Sequence, residues 1–256
     1  MSTPHIDRAF ILAAGMGKRL RPHTDTMPKP MVPVAGKAMI DHTLDRLVAY
    51  GVHDVTVNLH YRATQLEQHL GQRHAPRLTF SFEQTLLDTG GGMNKALYTM
   101  GNQPFFAFSG DTLWEDGVSG DALTRMASMW DDSKMDLLLL LQPVSAMTLT
   151  GGVGDYDILP NGQIIRSTTQ TGTHMWTSVR IVHPRLFENA PNGPFSFLQL
   201  MDKAQANGRL FGLEHDGAWH HISTPADLAS VEAHLAATGG SISPSNPVYP
   251  PAKPTA

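Results

Sequence analysis

Cysteine is absent from the 256 residues. That absence excludes disulfides, thiolate metal sites and cysteine nucleophiles, and it suits a reducing compartment. Long hydrophobic runs are missing too. Met1 to Arg8 is polar, and the apolar stretch after it ends at Ala14, too short for a secretory core or a membrane span. The greasiest stretch, Leu137 to Leu141, has the length of a buried strand. The expectation is a cytoplasmic protein with no membrane partner. Charge is also sparse. Lysine and arginine number 19 against 23 aspartate and glutamate, giving a net charge of −4, so no broad basic field exists to grip nucleic acid. Charged residues make up only 16% but hydrophobic ones 41%, a balance that predicts a globular body with a sizeable core.

What is present has a clear rhythm. From residue 8 to about 142, β-prone apolar runs alternate with segments of helical period. Strands are expected at Ala9 to Ala13, Val55 to Asn58, Leu78 to Phe82, Phe105 to Phe108 and Leu137 onward. Between them, Ile40, Leu44, Leu47 and Val48 share one helical face that Gly51 ends. Leu66 and Leu70 mark a short helix, Met93 to Met100 one that begins after three glycines, and Leu123 to Trp130 another. Such alternation predicts an α/β fold, with a Rossmann-like, mostly parallel mixed sheet and helices on both faces.

After residue 150 the pattern shifts. Asp155 to Leu159 and Gln163 to Ser167 flank Pro160-Asn161-Gly162, a hairpin signal. Strands at Met175 to Val182 and Leu210 to Glu214 follow, with a helix near Phe197 to Asn207 between them. Thr224, Pro225 and Asp227 open a last helix running to about Ala236. One domain over 1–237 is expected, with 238–256, rich in Gly, Ser and Pro, as a disordered tail.

The chemistry concentrates where strands end. The first strand runs into Leu12-Ala13-Ala14-Gly15-Met16-Gly17-Lys18-Arg19-Leu20-Arg21-Pro22. Paired glycines let backbone N–H groups approach a phosphate, and three cations stand beside them. The loop lacks the Gly-Lys-Ser/Thr ending of a P-loop, and its Gly-x-Gly alone fits a tight turn equally well. Pro28-Lys29-Pro30 then holds a lysine on stiff backbone. Singly, Arg19 and Lys29 read as solvated surface cations, and Asp111, after Ser109-Gly110, as a turn residue. Asp155 reads as a hairpin flank, the scattered histidines as surface or satisfied groups, and the methionines as core filler.

Taken together, L-A-A-G-x-G-x-R-x-x-P-x-T-x-x-x-P-K-P over residues 12–30 resembles the signature of the sugar-nucleotide pyrophosphorylases, nucleotidyltransferases with a Rossmann-like core. Leu86 to Gly92 resembles that family's second glycine loop, Phe108-Ser109-Gly110-Asp111 its strand-end aspartate, and Gly217 to Pro225 its late G-x-W-x-D-x-G-T-P segment. Val57 to Tyr61, Asp88 to Gly92 and Gly154 to Tyr156 resemble more narrowly a branch that transfers uridylyl groups to N-acetylmuramic acid 1-phosphate in cell-wall recycling.

The resemblance implies a nucleotide-diphospho-sugar transferase fold, with a nucleoside triphosphate and a sugar 1-phosphate as partners. Ala13, Ala14, Gly15 and Gly17 would meet the nucleotide, as would Glu83, Gly90 and Gly91. Arg19 would draw on the leaving pyrophosphate, Lys29 would neutralise the reacting phosphates, and Asp111 would hold Mg²⁺. Nothing in the sequence specifies an oligomeric state.

Two departures stand out. No Glu-Lys-Pro segment supplies a lysine for the sugar phosphate between residues 155 and 185, where Arg166, His174 and Arg180 are the nearest cations. The muramic acid branch shares that lack. His221 occupies the place of the family's second metal-binding aspartate, and Ser223 that of a glycine. Imidazole ligates Mg²⁺ poorly and Mn²⁺ or Co²⁺ more readily. Three readings therefore stand: a uridylyltransferase, a guanylyltransferase for a mannose- or heptose-type 1-phosphate, and a binding protein that has lost turnover.

Overall fold

A computed structural model describes residues 5–238 and Ile242. Its first strand, β1 (Arg8–Leu12), shows why the sheet is covered twice. Ala9 and Ile11 pack with Ile40, Leu44 and Leu47 of α1 (Met39–Tyr50). Phe10, pointing the other way, packs with Met93 of α3 (Asp88–Lys95) and Leu200 of α5 (Leu198–Ala206). A strand buried on both faces carries apolar residues at successive positions, not at alternate ones.

β1 pairs in parallel with β4 (Asp54–Leu59) on one side and β6 (Phe105–Ser109) on the other. β5 (Arg77–Phe82) extends the parallel half beyond β4, with α2 (Ala63–Leu70) crossing between them. On the far side of β6, β11 (His174–Val182) runs antiparallel to β6, to β8 (Leu137–Pro143) and, at His174, to β9 (Tyr156–Ile158). β9 turns through Gly162, at φ 84°, into β10 (Ile164–Arg166), and β12 (Leu210–Glu214) closes the sheet in parallel with β8. The nine-stranded sheet is thus mixed and mostly parallel at its centre, as the alternating pattern predicts.

Two short ribbons were not visible in the periodicity. β2 (Pro33–Val34) pairs with β3 (Lys37–Ala38), and β7 (Leu113–Glu115) pairs with β13 (Ala218–His220). The second ribbon brings the late Gly217 to Pro225 segment back to the chain that leaves β6. α4 (Ala122–Met129) follows β7, capped by Asp121, whose side chain accepts from Thr124 N.

The last helix, α6 (Pro225–Thr238), opens with a reciprocal cap: Asp227 Oδ2 accepts from Thr224 N at 2.8 Å and Thr224 Oγ1 from Asp227 N at 3.2 Å. Leu228, Val231 and Leu235 on α6 pack on Leu20, Val32 and Val34, fixing the loop after β1 from outside the sheet. Ile242 is buried in the same cluster, and its carbonyl accepts from Arg46 Nε at 3.0 Å. The expected tail boundary at 237/238 therefore falls just inside α6, and 239–241 and 243–256 lie outside the described residues. Among the described residues no helix is long and apolar enough to cross a membrane.

Candidate active site

The chain leaving β1 is aimed by one side chain. Asn58, buried on β4, accepts from Ala13 N through Oδ1 at 2.7 Å and donates through Nδ2 to Glu83 Oε1 at 2.6 Å. Gly17 sits at φ 61°, where a Cβ would stand 2.9 Å from Lys29 Cβ. Its glycine identity is explained by the close passage of the Lys29 segment and by left-handed backbone. Gly15 has the opposite explanation. A Cβ there would meet nothing within 4 Å in the protein, and it would stand in the cavity that Gly15 lines.

That cavity, of about 670 Å³, gathers Ala13, Ala14, Gly15, Gly17, Arg19, Lys29, Glu83 and Asp111. Arg19 is exposed. Lys29 lies on a 3₁₀ turn (Lys29–Met31) behind Pro28, and its Nζ sits 2.5 Å from Asp111 Oδ2. Asp111 follows the end of β6, where Gly110 N donates to Leu12 O at 2.8 Å and a Cβ on Gly110 would stand 3.1 Å from Pro30. The cations and the carboxylate thus converge at the carboxyl ends of adjacent parallel strands, where open α/β sheets bind ligands.

Three sets of the expected site residues are otherwise engaged in the structure. Gly90 and Gly91 do not line the cavity. They lie inside α3, which starts at Asp88 rather than after the glycines, and Cβ atoms there would stand 2.3 Å from Phe195 Cε2 and from Gly193 O. Both glycine N–H groups donate to Phe195 O, at 2.9 and 3.1 Å. Close packing is enough to require glycine at both positions, and Asp88 and Thr89 line the cavity beside them. Glu83 does line it, but its two oxygens are already engaged, Oε1 by Asn58 and Oε2 by Leu87 N at 2.9 Å.

His221 is the third. It is not among the cavity's lining residues, although Ser223 is, and its Nε2 lies 2.8 Å from Ser223 Oγ. Burial first, and then the charge of Lys29, hold the imidazole below the usual histidine range, with Asp111 opposing. No cluster of three metal-ligating side chains occurs among the described residues. The donor set fits a hard divalent cation held by the Asp111 carboxylate, with phosphate oxygens and water completing the shell. It does not fit an all-protein cage.

A second cavity, of about 510 Å³, adjoins the first and shares Leu12, Thr89 and Ser109 with it. The three cations marked as nearest to a sugar phosphate separate here. Arg166 is bound at both ends to Asp202, at 2.8 and 2.9 Å, and His174 Nε2 to Glu214 at 2.9 Å. Arg180 has no hydrogen-bond partner among the described residues. Sequence reasoning missed Asn58 as the residue that aims the β1 loop, because a buried amide inside an apolar strand carries no local signature.

This architecture defines the class: the fold is that of the nucleotide-diphospho-sugar transferases. HddC from Yersinia pseudotuberculosis, solved with GMP-PN, superposes with a TM-score of 0.73 at 23% identity, over 90% of this chain and all of that one. The chain belongs to the nucleotidyl transferase family, whose model matches residues 8–153, and it is a sugar-1-phosphate nucleotidyltransferase. It is 38% identical to the N-acetylmuramate alpha-1-phosphate uridylyltransferase of Caulobacter vibrioides, over 89% of this chain and 96% of that protein. It is 29% identical to the protein of the same name from Neisseria meningitidis serogroup B, over 88% and 97%.

Gly91→Ala separates packing from binding. The added methyl group meets the Gly193 carbonyl, and overpacking of this kind costs about 1–3 kcal/mol. Urea unfolding should show that loss while the KM for the triphosphate stays near the wild-type value. Unchanged stability with a raised KM would return Gly91 to the nucleotide.

Proposed function

We propose that this chain transfers a uridylyl group from UTP to N-acetylmuramic acid 1-phosphate, releasing pyrophosphate. The observation that carries the choice of base and sugar is the 38% identity, over almost the whole of both chains, to the Caulobacter enzyme of that name. The paired cavities support it: one holds the cations and the carboxylate, and the other has room for a hexose derivative.

The chemistry follows from the charges. A phosphate oxygen of the sugar 1-phosphate attacks the α-phosphorus of UTP. A new P–O bond forms as the bond to the β-phosphate oxygen breaks, and pyrophosphate leaves with the electron pair. The attacking oxygen is already anionic, so no general base is required. Catalysis then rests on alignment and on neutralising charge. The backbone at Gly15 and Gly17 lies along the triphosphate, the exposed Arg19 draws on the leaving pyrophosphate, and Lys29 faces the reacting phosphates. Asp111 would hold Mg²⁺, which when bound polarises the α-phosphate and offsets its growing charge. Glu83 acts through Asn58 and Leu87, keeping the loop shaped for the base.

Three outcomes test this reading. Pyrophosphate release should be fastest with UTP and N-acetylmuramic acid 1-phosphate, in a panel of triphosphates against muramic, glucosamine and mannose 1-phosphates. Faster turnover with GTP and mannose 1-phosphate would refute it. Asp111→Asn should fold normally by circular dichroism and lose on the order of a thousandfold in kcat; near-normal turnover would remove Asp111 from the mechanism. His221→Asp would place a hard anionic oxygen beside Asp111, so the Mg²⁺ concentration for half-maximal rate should fall, along with any advantage of Mn²⁺. If neither moves, His221 stands outside the metal shell.

A further inference from the structure

The inner end of the second cavity is built around an isolated cation. Arg180 is among the residues lining it, is itself fully buried, and its Nε, Nη1 and Nη2 all lack a hydrogen-bond partner among the described residues. Its guanidinium carbon lies 4.4 Å from the Phe197 ring centroid and 5.0 Å from that of Trp176. Two aromatic faces can hold a planar cation in place, but they accept none of its N–H groups. Burial alone, with no acid beside it, pushes its pKa down to about 9, so it stays charged at neutral pH.

The local backbone is arranged to put it there. Trp176 pairs with Leu141 and Arg180 with Leu139, so β11 carries two extra residues between these pairs. The bulge is held at a cost: Ser178 sits at φ 68°, left-handed backbone for a non-glycine residue. The other polar groups nearby do not satisfy Arg180. Asp155 lines the same cavity, but its Oδ2 accepts from Trp176 N at 3.0 Å. Trp176 Nε1, a second buried donor on this wall, also lacks a partner among the described residues. The wall therefore offers N–H donors and positive charge, and asks for an anion.

The anion is not the sugar's phosphate. That group must meet the α-phosphorus in the first cavity, which Lys29 and Asp111 line and Arg180 does not. Arg180 pairs with Ala107 on β6, and β6 runs on two residues, about 7 Å, to Ser109 before the chain turns to Asp111. A pyranose ring spans that interval. We infer that Arg180 recognises a carboxylate on the acceptor sugar, at the end of the ring remote from the reacting phosphate, and so selects a sugar acid over its neutral counterpart. This rests on the proposed reaction and assigns its acceptor specificity: N-acetylmuramic acid differs from N-acetylglucosamine by a lactyl ether that ends in a carboxylate.

The test compares the two sugar 1-phosphates, with UTP, in the wild type, Arg180→Met and Arg180→Gln. An unpaired buried cation is replaced by an apolar chain of similar length at little or no loss of stability, so the melting temperature without ligand should hold or rise. Should Arg180→Met fail to fold, Arg180→Gln decides. In either variant kcat/KM for the muramic acid substrate should fall about a hundredfold, mainly through KM, as expected when one partner of a buried charge pair is removed. The glucosamine substrate and the KM for UTP should change little. A variant that keeps the wild-type preference for the sugar acid overturns the assignment and leaves the reaction standing. An equal loss on both sugars overturns it too, because Arg180 would then serve the phosphate or the fold. A wild type that uses only neutral sugars refutes the proposed reaction itself, and Arg180's role with it.

Discussion

Lys29 Nζ lies 2.5 Å from Asp111 Oδ2, and most of the local chain is arranged to make that contact possible. The two residues come from loops that leave neighbouring parallel strands, β1 and β6. Each loop must pass close to the other, and the glycines mark where. Gly17 gives way to the Lys29 side chain, and Gly110 gives way to Pro30 and to the Leu12 carbonyl. Prolines on both sides of Lys29 limit its backbone, so the position of the ammonium is set before any substrate arrives. The outer support comes from Leu20 and Val32, fully buried against α6. A long-range packing surface thus fixes a short-range electrostatic one.

Most other guanidinium groups near the cleft are already paired. Arg21 pairs with Asp25, Arg166 with Asp202, and Arg46 is bound to Asp116 and two backbone carbonyls. Those guanidinium groups are committed to the fold. Arg180 in the second cavity has no hydrogen-bond partner among the described residues, and Arg19 is exposed in the first. Two anionic portions of a bound pair of substrates, one at each end of the cleft, would complete the set.

Much of this arrangement could be read from the residues. The strands at β1, β4, β5, β6 and β8 carry apolar runs of the right length, and the Thr224–Asp227 cap is legible as a four-residue pattern. The signature over 12–30 marked the loop after β1 and Lys29, which line one cavity with Asp111. Other parts were hidden for physical reasons. Glycine is a poor helix former, so Gly90 to Gly92 read as a loop, whereas their close contacts with Phe195, Gly193 and Glu83 make a helix of small residues the solution. β7 and β13 are three residues each, too short to show a period. A charge inside the apolar strand Met175 to Val182 was visible at Arg180. That it lacks a partner is a property of the packed molecule, since Asp155 is only 25 residues away and could have paired with it.

In the proposed reaction Lys29 and Asp111 act as one unit, each leaving an unbalanced charge in the cleft when the other is lost. A double-mutant cycle on kcat measures this directly, with Lys29→Met, Asp111→Asn and the combination. Each single change should cost about a thousandfold and the double variant no more than about tenfold beyond either, because groups acting together are far from additive. If the double variant loses the product of the two single effects, the residues work independently and the central claim fails.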